Sequence, residues 1–112
     1  MSAKVVVLYP HPVEPSDFER IYHSQHMPMM RRMIMPSSRV PTYRIEAGQA
    51  GQASQVGPVP FYRMAEIHFD DLAALRAFAA SADANAARRS SRACSTGGEP
   101  LVLVCVADRV EP

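Results

Sequence analysis

Lys4-Val-Val-Val-Leu-Tyr9 near one end of the chain and Leu101-Val-Leu-Val-Cys-Val-Ala107 near the other decide the fold. Both runs are rich in β-branched residues. The first stops at Pro10-His-Pro12 and the second follows the loop Ser95-Thr-Gly-Gly98, so each reads as a strand bounded by a turn. A strand with one face in water alternates apolar and polar residues. Neither of these runs alternates, so each needs cover on both faces.

The segments between them fill in the order. Ser16-Asp-Phe-Glu19 reads as a capping box, with Ser16 as N-cap and Glu19 reaching back to its N–H. Phe18, Tyr22, Met29 and Met33 recur at helical spacing behind it. Pro28 removes one amide donor and frees the carbonyl of Ser24, which predicts a kink or two short helices meeting near His26–Pro28. Val40 to Ala47 alternates weakly and holds Pro41, which suits an edge strand. Residues 48–58, rich in Gly, Gln, Ser and Ala, read as a mobile connection.

Pro60 to Phe69 reads as a strand with two unlike faces. Phe61, Arg63, Ala65, Ile67 and Phe69 share one side; Tyr62, Met64, Glu66 and His68 share the other. Asp70-Asp71 caps a helix carrying Leu72, Leu75, Phe78 and Ala79, and Ser81 opens an Ala/Arg-rich helical piece running to about Arg92.

The resulting order is βαββαβ. Right-handed crossovers turn it into an α+β, ferredoxin-like sandwich with both helices on one face of a four-stranded sheet. The economical cover for the other face is the same surface of a second subunit, since two-fold dimers are the commonest oligomers. The composition agrees. Of 112 residues, Leu, Ile, Val and Phe number only 24, while Ala alone supplies 16. Nine of the 24 lie in Val5–Leu8, Leu101–Val104 and Val106, stocked as though for a shared interior. The length predicts one domain over residues 1–112, with its core at about 4–108.

Charge and motifs exclude several function classes. A net charge of +1 leaves no electrostatic footprint for nucleic acid or an anionic membrane. Arg31-Arg32 and the Arg88, Arg89, Arg92 group read as solvated helix faces. No apolar run approaches the ~18–20 residues of a spanning helix, and the run before Pro10 is short for a signal-peptide core. Cys94 and Cys105 make no disulfide framework and no zinc spacing, so a reducing cytoplasm is the expected location. No glycine-rich dinucleotide fingerprint, P-loop or nucleophile elbow is present, and no cofactor is expected.

His26 is the sharpest candidate for chemistry. At about 100° per residue from Phe18, it falls within the apolar arc of Phe18, Tyr22, Met29 and Met33. Its imidazole then points to the sheet, where it could give and take a proton or serve as a structural ring bonded to a freed carbonyl. His23 flanks the same face. A His-x-x-His pair on one helix without a carboxylate ligand is a weak metal signal, and no metal is expected. Glu66 shares a strand face with His68 and is a candidate partner for His26; the other reading is a solvent or interface stripe. Tyr9, Tyr22 and Tyr43 are candidate pocket walls with hydroxyls to offer. Five of the seven methionines lie between Met27 and Met35; Met29 is a candidate for adaptable packing round an apolar ligand, though methionine is also ordinary core.

With these residues in view, the chain resembles the EthD family. The resemblance is carried by Val6-Val-Leu-Tyr-Pro10, by Asp17-Phe-Glu-Arg-Ile-Tyr-His-Ser-Gln-His-Met-Pro28, by Tyr62-Arg-Met-Ala-Glu-Ile-His-Phe-Asp-Asp-Leu72 and by Thr96-Gly-Gly98. It implies a dimeric α+β barrel in which two ferredoxin-like subunits pack sheet to sheet. The family takes its name from a small protein of ethyl tert-butyl ether degradation that accompanies a monooxygenase. Related barrels include isomerases, dehydratases and cofactor-free monooxygenases acting on small apolar compounds. Carried over, His26 matches the histidine before Met-Pro, and His23 the one three residues earlier. The implied function is a cofactor-independent enzyme using His26 in acid–base chemistry; the alternative is a non-catalytic small-molecule-binding or accessory dimer. Residues 81–95 depart from the family pattern, with Cys94 where a large apolar residue is expected and Arg88-Arg89 more basic.

Overall fold

The first strand, β1 (Ala3–Pro10), lies inside the sheet and pairs antiparallel on both sides. Its partners are β3 (Phe61–Phe69) and β4 (Leu101–Val106), and β3 carries β2 (Thr42–Arg44) on its far edge. The strand order is therefore β2-β3-β1-β4, the ferredoxin-like arrangement. This computed structural model describes residues 2–34, 39–46 and 59–108. The connection expected over residues 48–58 lies outside them.

The register fixes which side chains share a face. Val5 opposes Ile67 and Val104, and Val7 opposes Ala65 and Val102, so these point toward the helices. Val6 opposes Glu66 and Leu103 on the opposite, open face. Backbone bonds from His68 N–H to the Arg39 carbonyl and from Ile45 N–H to the Tyr62 carbonyl extend the β2 pairing beyond its three residues.

The first helical segment departs from expectation at its start. Helix α1 spans Pro15–Ile21, and its N-cap is Glu14, not Ser16. The Glu14 carboxylate accepts from the Ser16 amide at 3.3 Å and its hydroxyl at 3.0 Å, while Pro15 occupies a position needing no donor. Glu19 is thereby free of any capping duty and points to Arg63 of β3.

The irregularity before Pro28 is present, and it is a π-helical turn, Tyr22–His26, leading directly into α2 (Met27–Ile34). The Met27 amide bonds the Tyr22 carbonyl five residues back. Such a turn fits one extra residue into the helix, so everything beyond it is rotated by about 100° relative to a regular helix. Met30 is consequently buried where the regular spacing put Met29.

Asp71 caps α3 (Leu72–Ala79) and Ser81 caps α4 (Ala82–Cys94), as the sequence predicts. The main core joins Tyr9, Phe18, Tyr22 and Cys94. Phe18 and Tyr22 stack with centroids 5.3 Å apart, and Tyr9 meets both edge-on at 5.3 and 5.6 Å. The loop after α4 presses on the end of β1: a Cβ on Gly97 would overlap the His11 carbonyl oxygen. Gly98 follows with φ of +138°. The Thr96-Gly-Gly98 motif is thus a packing requirement between the approach to β4 and the exit of β1.

Candidate functional site

Helix α4 offers the sheet side of the molecule little bulk, because Ala84 and Ala87 are among its buried residues. Alanines cannot fill the space that leucines would, and a cavity of about 300 Å³ remains between the sheet, the π turn and helices α3 and α4. Val5, Val7, Ala65 and Ile67 supply apolar wall from the sheet. Val102 and Val104 of β4 line it while remaining 54% and 58% exposed, so β4 borders the opening. One of the two apolar faces of β4 is accounted for in this way.

His26 lines this cavity and is only 4% exposed. Its Nδ1 sits 2.8 Å from Ser90 Oγ on α4. Among the described residues Ser90 is the ring's one hydrogen-bond partner, and none meets Nε2. Burial lowers the pKa to about 4, so the ring is neutral at pH 7. In one tautomer Nδ1–H donates to Ser90 and Nε2 offers a lone pair; in the other Ser90 donates and Nε2–H is a donor.

Two tyrosines share the cavity wall. Tyr9 OH lies 3.0 Å from Ser91 Oγ, and burial raises its pKa strongly, so the phenol stays protonated. Tyr22 OH lies 2.8 Å from Thr42 Oγ1, and its ring lies 5.3 Å from that of His26. Behind Tyr22, Arg63 is 5% exposed and places its guanidinium 4.7 Å from the Tyr22 ring centroid. Arg63 donates to Thr42 Oγ1 and to both oxygens of Glu19, which also accepts from Tyr62 OH at 2.8 Å. Burial pushes the Glu19 carboxyl up, but hydrogen bonds from Tyr62 and Arg63, the Arg63 charge and His23 outweigh it and hold it below the usual range.

The remaining candidates lie elsewhere. His23 is exposed and pairs with Glu19 at 3.1 Å, outside the cavity. Tyr43 is exposed and opposes Met64 on the open face of the sheet. Met29 is half-buried against the second core cluster, and Met27 and Met30 line the cavity in its place, as the π turn dictates. Glu66 also points to the open face, where it pairs with His68 at 2.7 Å and Lys4 at 3.3 Å. The two-residue period that puts Ala65 and Ile67 against the helices carries Glu66 away from His26.

Sequence reasoning missed Ser90 and Ser91, which hold His26 and Tyr9, and the Arg63–Glu19 pair. Arg63 had a readable signal: an arginine among inward-facing apolar residues requires a buried acid. The serines had none, because two small hydroxyls on an Ala/Arg-rich helix resemble any solvated surface. Burial pushes the Cys94 thiol up to about 11, and it donates to the Ser91 carbonyl as a core residue.

Comparison with known proteins places this geometry in a class and then in a family. A dimeric ferredoxin-like protein of unknown function from Jannaschia sp. CCS1 superposes with a TM-score of 0.63 at 18% identity, over 96% of this chain and 100% of that one. An ethyl tert-butyl ether d (EthD) family protein from Bacillus halodurans superposes with a TM-score of 0.76 at 23% identity, again over 96% and 100%. An uncharacterised 11.0 kDa protein from the thcB–thcC intergenic region of Rhodococcus erythropolis is 30% identical over 95 residues, 84% of this chain and 85% of that protein. The model of the EthD domain matches residues 10–90. This chain belongs to the EthD family.

Proposed function

We propose that this protein is a cofactor-independent enzyme that moves a proton within a small, apolar or aromatic oxygenated compound, with His26 as the acid–base residue. One observation carries the reading: a buried, neutral imidazole lines an apolar cavity with its Nδ1 held by Ser90. Imidazolium is costly in such surroundings. A proton taken from a C–H beside a ligand carbonyl leaves an enolate next to the new imidazolium, and the mutual attraction of the two charges offsets that cost. Tyr9 and Tyr22 line the same space and shape it around the ligand. Glu66, on the other face of the sheet, tunes the open surface instead of His26. In this reading residues 1–112 form one domain and two copies pack through their open sheet faces as a cytoplasmic homodimer.

The test is deuterium exchange in D2O, followed by proton NMR, on cyclohexanone, phenylacetone and a cyclic lactone. The wild-type protein is expected to accelerate exchange beside the carbonyl, and His26→Asn to lose about 10²-fold or more of that acceleration. Binding of the same compounds without exchange would overturn the enzymatic reading in favour of a non-catalytic binding dimer. Equal exchange by His26→Asn would remove His26 from the chemistry.

A further inference from the structure

The mouth of the cavity is charged where its interior is not. Arg88 and Arg92 of α4, one turn apart, both line it, with Glu99 and Pro100 beside the start of β4. Arg92 Nε donates to Glu99 Oε2 at 3.1 Å, so that charge is matched. Arg88 is held differently. It donates to Asn85 Oδ1 and to the Ala79 carbonyl, both at 2.9 Å, and among the described residues no carboxylate pairs with it. A guanidinium has five N–H donors, and these two contacts fix its position while leaving donors unspent. Among the described residues the rim therefore carries two guanidinium groups against one carboxylate. His26, the remaining titratable nitrogen on the wall, is neutral.

We infer that the cavity accepts a small carboxylate-bearing ligand, its apolar body against the β1 and β3 wall and its anionic end on Arg88 and Arg92. The inference rests on the reading of this cavity as a ligand site and names the class of ligand. An apolar pocket orients its occupant through a few polar contacts, and a planar guanidinium pairs a carboxylate in bidentate fashion. At about 300 Å³ the space suits a monocyclic aromatic or medium-chain acid. The basic residues of α4, which the sequence presents as a solvated face, then acquire a role beyond solubility.

The experiment compares octanoate with octanol by isothermal titration calorimetry at pH 7.5, reading the ratio of the two affinities within each protein. In the wild type octanoate is expected to bind at least about tenfold tighter. The ratio should fall toward one in Arg88→Gln/Arg92→Gln and rise severalfold in Glu99→Gln, which removes the competing carboxylate from the rim. Circular dichroism melts establish that each variant is folded. Octanol binding as tightly as octanoate, or a ratio unmoved by the double substitution, would overturn the inference while leaving the cavity a ligand site. Failure of both compounds to bind would overturn the ligand-site reading together with it.

Discussion

A histidine held neutral by burial makes the folded state sensitive to acid. The folded pKa of His26 is about 4 and its ordinary value is 6.5, so between these the unfolded chain binds a proton that the folded chain refuses. Stability therefore rises with pH across this window and is lost as pH falls from 6.5 toward 4. Full loss corresponds to about 3 kcal/mol, with roughly 2 kcal/mol gone by pH 4.5. Glu19 and Glu66, whose pKa values are lowered from 4.5, act with the same sign but only below that value. Urea titrations at pH 6.5 and 4.5 should thus show a drop in the wild type that His26→Gln largely abolishes. A drop of equal size in both proteins would mean that the imidazole is not the group responsible. The residue scale also explains why the inward phase of His26 was legible while its hydrogen-bond partner was not. Helical phase is legible from Phe18 onward, whereas the hydroxyl that meets Nδ1 arrives from α4, 64 positions along the chain.

At the scale of elements, the sequence predicted the irregularity at Pro28 but not its form. A proline announces that one amide is missing. Whether the helix answers with a kink or a π turn depends on packing: the wider turn resets the phase beyond it, so that Met27 and Met30 are buried and Met29 is only half-buried. The strand–helix order, the Asp71 and Ser81 caps and the edge position of β2 were legible because each depends on local chemistry. The start of α1 was not, because Glu19 was claimed by a partner on a distant strand. The glycine motif before β4 yields a prediction of its own. Gly97→Ala places a Cβ against the His11 backbone, where neither side is a flexible side chain. The loop or the end of β1 must shift, at about 2–3 kcal/mol and a fall in Tm on the order of 10 °C. Gly98→Ala meets a nearest atom at 3.6 Å, the side chain of Pro10, and suffers chiefly from its positive φ. A melt in which Gly97→Ala matches the wild type would show that this approach is not tight.

At the scale of the molecule, the unalternating strands have two different explanations. The helix-facing side of β4 borders the cavity through Val102 and Val104. Its other side presents Leu101 and Leu103, 45% and 41% exposed, beside Val6 and Leu8 of β1 and Met64 of β3. Among the described residues no helix lies on this face, and there Glu66 pairs with Lys4 and hydrogen-bonds His68. Such a surface is apolar enough to bury and leaves no uncompensated charge when buried. The expected species in sedimentation at micromolar concentration is accordingly twice 12.3 kDa. Leu103→Asp puts a carboxylate at the middle of the open face, where burying it unpaired would cost several kcal/mol, and should yield monomer. The cavity lies on the far side of the sheet, so octanol affinity should survive in that monomer if each subunit carries a complete site. A wild-type monomer, or a Leu103→Asp dimer, would place the interface elsewhere and leave the open face of the sheet without its second layer.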